Sequence, residues 1–79
     1  MNVNQNINKL LYALSIKNKF YKVGSSQCYS DFKKKYITLY YIYKQEHGKY
    51  EYQETTYSKI DVLKYLVKEL KGSEADETN

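Results

Sequence analysis

The sequence predicts a single α+β domain of order α-β-β-β-α, a three-stranded antiparallel meander with two helices packed on one face. Three observations predict it. Apolar residues recur at helical spacing near both ends of the chain. Runs rich in Tyr, Ile and Thr, which favour a pleated surface, fill the middle. The longest of these runs is interrupted by His47-Gly48, where a two-residue turn can fold it back on itself.

The first helix is expected over residues 5–15. Ile7, Leu10, Leu11 and Leu14 stand at i, i+3, i+4 and i+7, and Asn4 or Asn6 can cap the start. Phe20 to Val23 reads as a strand that continues to Tyr29, with Gly24 as a bulge or bend. A loop over 30–35 follows and ends in Lys33, Lys34 and Lys35.

Two further strands are expected over 36–45 and 49–57. A His47-Gly48 turn sets their register. Lys44 then opposes Glu51, Glu46 opposes Lys49, Tyr43 opposes Tyr52 and Leu39 opposes Thr56. Ile37, Leu39, Tyr41, Tyr43, Tyr50 and Tyr52 make the better core face. The opposite face, with Tyr36, Thr38, Tyr40, Ile42, Lys44, Glu51, Gln53, Thr55 and Tyr57, is expected to meet solvent.

The last helix is expected over 59–71. Ser58 is its N-cap, with Asp61 three residues on, and Tyr57 can staple to Val62. Ile60, Leu63, Leu66, Val67 and Leu70 form its apolar stripe. Gly72 suits the left-handed position that ends a helix. Residues 73–79 carry no large apolar side chain and are expected to form a disordered acidic tail. The folded domain is thus expected over 1–72.

Composition narrows the function. The chain has 79 residues and a net charge of +4, with 13 cations that are all Lys. Three of its 9 acids lie in the tail, so residues 1–72 carry +7. A single Cys allows neither an internal disulfide nor a Cys-rich zinc site, and the expected compartment is the cytoplasm. No apolar run is long enough to span a bilayer, and the N-terminus lacks the pattern of a secretory signal.

Catalysis needs converging groups, and few are on offer. His47 and Cys28 are the only His and Cys, and a nucleophile pair would need a turn tip and a strand end to meet. Glu51 and Glu54 point to opposite faces of a strand, and three Gly make no phosphate loop. The chain is therefore expected not to be an enzyme, with no cofactor, metal or small-molecule substrate.

What remains is surface. Tyr is a residue of interface cores. Tyr36, Tyr40, Ile42 and Tyr57 on the expected outer face suggest binding of a protein partner, including a second copy. Lys33, Lys34 and Lys35 with nearby Tyr suggest the alternative, a salt-sensitive nucleic-acid contact of weak sequence choice, because Arg is absent.

The element order is that of double-stranded-RNA-binding domains. Their Lys-Lys-x-Ala-Lys signature at the second helix is not matched, since that stretch here is Ser58-Lys59-Ile60-Asp61-Val62-Leu63-Lys64. The segments Leu10-Leu11-Tyr12-Ala13-Leu14, Gln27-Cys28-Tyr29-Ser30 and Lys35-Tyr36-Ile37-Thr38 resemble small uncharacterised proteins of Gram-positive bacteria and their mobile elements. Cys28 departs from that pattern at a place where it has an aromatic. The resemblance implies an accessory role in a phage, plasmid or transposon.

Overall fold

A computed structural model describes the backbone of residues 2–77 and the side chains of residues 2–72. The order is α1 (Val3–Ile16), β1 (Tyr21–Ser30), β2 (Lys35–Glu46), β3 (Lys49–Thr56) and α2 (Lys59–Glu77). The strands form one antiparallel sheet in the order β1-β2-β3, and both helices pack on one of its faces. The α-β-β-β-α meander expected from the sequence is the fold.

Helix α1 begins earlier than its apolar spacing suggests, because Asn2 caps it. The Asn2 side chain accepts from the Asn4 N–H at 2.9 Å. Its end is set by Asn18, which takes the left-handed conformation (φ 62°). The Asn18 N–H donates to the Ser15 carbonyl at 3.0 Å and the Lys19 N–H to the Leu14 carbonyl at 2.9 Å. These are the two bonds of a Schellman ending, with Asn in the role that Gly usually fills.

β1 is continuous. Gly24 sits in register opposite Tyr41, so the bulge expected there does not occur. His47 (φ 54°) and Gly48 (φ 82°) form the expected two-residue turn, with the backbone signs of a type I′ hairpin. Glu46 pairs with Lys49, Lys44 with Glu51 and Tyr43 with Tyr52, as that turn requires. The ladder then slips. Ile42 pairs with Glu54, leaving Gln53 as the extra residue of a bulge, and Thr56 pairs with Tyr40 rather than Leu39.

Ser58 caps α2 by accepting from the Asp61 N–H at 3.1 Å. The staple does not form, since Tyr57 is exposed while Val62 is buried. The buried line of α2 runs through Val62 and Leu66, flanked by Leu63, Tyr65 and Leu70, and Ile60 lies outside it. The α2 backbone continues through Gly72 to Glu77 rather than ending at 71. Gly48 is the only glycine with positive φ among the described residues, so Gly72 makes no left-handed cap. The tail expected to be disordered, 73–79, has its side chains and its last two residues outside the described part.

The core consists of Ile7 and Leu14 from α1, Val62 and Leu66 from α2, and Tyr21 and Ile42 from the sheet. Val23 and Tyr40 pack against it. Ile42 is 0% exposed, so the face with Tyr40 and Ile42 is the covered one. This reverses the assignment from alternation: Ile37, Leu39, Tyr41 and Tyr43 lie on the face away from the helices.

The physical reason is a mismatch of lengths. The 12 residues of β2 extend about 40 Å at about 3.3 Å each, whereas the 14 residues of α1 rise about 21 Å. The helices cover only the middle of one face. Lys44, Glu46, Lys49 and Glu51 share that face with Ile42 but stand toward its end, where charges stay hydrated. Counting polar residues along whole strands therefore assigns the wrong side.

Two isoleucines on one strand test this arrangement. Ile42→Ala should cost about 2–5 kcal/mol in denaturant unfolding, and Ile37→Ala under about 1 kcal/mol. Equal losses would contradict the face assignment. Leu66→Asp should abolish the cooperative thermal transition, since it places a charge in the core.

Candidate functional site

The expected binding residues separate into three places. Lys33 and Lys34 lie in the loop joining β1 to β2, and Lys35 opens β2. Tyr36 follows on β2 and is exposed, and Tyr57 is exposed in the link between β3 and α2. Tyr40 and Ile42 belong to the covered face and cannot take part in an outer surface. The expected set is thus not one outer face: Tyr36, Tyr40 and Ile42 share the side that the helices occupy, and Tyr36 is exposed because it stands beyond them.

The outer face is built from other residues. Register places Lys22, Gly24, Ser26 and Cys28 of β1, Ile37, Leu39, Tyr41 and Tyr43 of β2, and Tyr50 and Tyr52 of β3 on the side away from the helices. The contacts agree with that placement. A Cβ built on Gly24 would lie 3.8 Å from the Tyr43 ring, so that ring leans over the glycine. The Tyr43 and Tyr52 rings meet edge to face at 6.2 Å. The Lys22 ammonium lies 4.7 Å from the Tyr50 ring centre and 5.4 Å from that of Tyr43. One cation from β1 thus bridges rings of the other two strands, each contact contributing about 0.5–1 kcal/mol at an exposed site.

The polar tips on this face are also tied to one another. The Ser26 and Tyr41 hydroxyls are 2.9 Å apart, and those of Tyr52 and Thr55 are 2.5 Å apart. The rings are held in place before any partner arrives, which lowers the entropy cost of using them. No Asp or Glu lies on this face, because Glu46, Glu51 and Glu54 share the side of Ile42.

A second exposed region is the outer part of the β1–β2 hairpin. Helix contacts stop near Ser25 and Tyr40, and the paired strands run on to Ser30 and Lys35. Tyr29 and Tyr36 pair directly, their rings edge to face at 5.3 Å. At the tip the Lys33 N–H donates to the Ser30 hydroxyl at 3.2 Å, and Lys34 takes a positive φ of 54°. This turn leaves Phe32 95% exposed.

The residues considered for catalysis are not brought together. Cys28 is exposed and pairs with Ile37 on the outer hairpin, whereas His47 is at the turn ten residues further along the chain, about 33 Å along the strand. Among the described residues no group of three or more His, Cys, Asp or Glu could hold a metal ion. None of their helices is long and apolar enough to cross a membrane.

A buried phenol, Tyr21, and a half-buried one, Tyr65, lie at the other end of the covered face. Tyr21 packs edge to face on Tyr65 at 6.4 Å, with the Lys44 ammonium 5.9 Å from its ring centre. The Tyr21 hydroxyl is buried with no hydrogen-bond partner. Burial, then the negative charges of Glu69 and Glu46, push the Tyr21 phenol up to about 12. Burial and a hydrogen bond to Glu69 push Tyr65 in the same direction. This pair is part of the packing, and Tyr65 also lines an open cleft with Thr56, Asp61 and Lys68.

No protein-family model, curated protein or solved structure matches the chain.

The two phenols give a pH prediction. A phenol kept protonated to about 12 in the fold but ionising near 10.0 in the unfolded chain stabilises the fold below that lower value. The contribution is lost as pH climbs through this window. Tyrosinate absorbance should show late-ionising phenols in the folded protein, and Tyr21→Phe should remove one of them and flatten the alkaline loss of stability. An unchanged titration curve in Tyr21→Phe would refute the placement of Tyr21.

Proposed function

We propose that this protein is a small, non-enzymatic, cytoplasmic binding protein that uses the outer face of its sheet to dock a protein partner, and that the partner is a second copy of the chain. The observation that carries this reading is the unbroken set Ile37, Leu39, Tyr41, Tyr43, Tyr50 and Tyr52 on the sheet side opposite the helices. Its make-up, rich in Tyr and without acids, is that of an interface core.

Shape and charge favour self-association. The face is one side of a three-stranded sheet, and a second sheet is its natural complement. Aligned sheets pack with their inner side chains interdigitated about 10 Å apart. Three strands span about 15 by 30 Å, roughly 450 Å² before side-chain relief, against the roughly 800 Å² that each partner supplies to a standard interface, so the pairing is of the weaker, concentration-dependent kind. Lys22 is already turned onto the rings of its own chain. Among the rings the face therefore carries one cation, already engaged with its own chain, rather than a pattern of paired charges. An accessory role of the kind implied by the resemblance to mobile-element proteins suits such a dimer.

Sedimentation velocity over a roughly hundredfold range of concentration tests this. The wild-type chain should pass from the mass of one chain to that of two. Leu39→Glu should stay at the mass of one, with an unchanged far-ultraviolet circular dichroism spectrum. A wild-type chain that remains single throughout, or a Leu39→Glu chain that associates as before, would refute self-docking through this face.

A further inference from the structure

We infer that the outer part of the β1–β2 hairpin is an arm that binds duplex nucleic acid, with Lys33, Lys34 and Lys35 on phosphates and Phe32 against the bases. The inference does not rest on self-association, since the arm is complete in one chain.

The first support is shape. The radius of gyration is 14.2 Å, against about 12 Å for a compact domain of this length, and the long axis is 49 Å. Part of that extension is the arm. From the Ser26–Leu39 rung outward its strands are paired only with each other. A two-stranded ribbon fits the major groove, which is about 12 Å wide.

The second support is charge. The arm strands carry no acid, and the loop holds Asp31 alone against three consecutive lysines. The tip is the most concentrated positive charge in the chain, at the point that reaches furthest from the helices. Lys makes phosphate contacts well but replaces Arg poorly in bidentate reading of guanine. The arm thus suits backbone contact with little sequence choice.

The third support is the side chains around the charge. Phe32 is held out at 95% exposure by a turn whose backbone is tied to Ser30. An apolar ring set among cations can pack on the thymine methyl groups exposed in that groove. Behind it, Gln27 and Thr38 offer an amide and a hydroxyl for phosphates and base edges.

Two other polyanions fit less well. A lipid surface would need apolar area around Phe32, whereas its loop neighbours are Asp31, Lys33 and Lys34. A single strand is gripped by rings with open faces, but Tyr29 and Tyr36 are packed edge to face on one another.

The test is anisotropy of a labelled duplex of about 20 base pairs, titrated with the full chain at several salt concentrations. Three phosphate contacts predict a log–log slope near −2.7, so binding should weaken about 40-fold between 50 and 200 mM salt. The triple variant Lys33→Gln, Lys34→Gln, Lys35→Gln should lose at least about tenfold at low salt, together with most of that slope. The chain has no Trp, so Phe32→Trp is a unique reporter, and its emission should change when duplex is added. Wild-type binding with the lysine variant unaffected would overturn the inference. So would no binding at low salt, an indole that does not respond in a saturated complex, or a response to phosphatidylserine vesicles without one to duplex.

Discussion

The sheet is longer than anything available to cover it, and the rest of the structure follows from that inequality. Two helices of modest length shield one patch in the middle of one face, around Ile42 and Val23. They leave the opposite face, and the outer hairpin of β1 and β2 at one end of the covered face, to water. A chain this small buries only about 60% of its unfolded surface. The large side chains that the helices cannot reach therefore remain at the surface, where they pack on one another in pairs. Tyr43 with Tyr52, Tyr29 with Tyr36 and Lys22 over its two rings are such pairs.

Much of the fold was legible in the sequence because the signals were local. The His47-Gly48 turn, the Ser58 cap and the spacing of Ile7, Leu10, Leu11 and Leu14 each act within a few residues. Asn18 was a signal passed over, since Asn is the usual second choice for a left-handed helix end. The faces of the sheet were not legible in the same way. They depend on where two separate helices land. The bulge at Gln53 adds to the difficulty, because it exchanges the parity of β3 half-way along. Before it, the even residues Tyr50 and Tyr52 face outward with Tyr43; after it, the even residues Glu54 and Thr56 share the side of Ile42 and the helices. One extra residue thus brings Thr56, and the chain leading into α2, to the covered side.

The same slip decides what was visible of the binding surface. Its type, a Tyr-rich sheet face, is a matter of composition and could be anticipated. Its members could not, because Tyr40 and Tyr41 differ only in parity. The tip of the hairpin was partly legible. Three lysines in a row announced a charged loop, but the display of Phe32 depends on a turn that Ser30 and Lys34 build together. Cohesion of the domain in turn rests on contacts far apart in sequence, since α1 and α2 come from opposite ends of the chain and share one core. That core accepts the Tyr21 hydroxyl without a partner, a cost of about 1–3 kcal/mol. The ring it carries fills the space between Tyr65 and Lys44.

Because the rungs beyond Ser26 and Leu39 bear on nothing but each other, the hairpin can change length without disturbing the core. Inserting one residue in each strand would turn its end over, so that the side now level with the helices would look the other way. Inserting two would restore the original aspect and carry the tip outward by about 7 Å. Reach and orientation are thus separate, stepwise variables that evolution or an engineer could adjust in a chain of this size while leaving its stability almost alone.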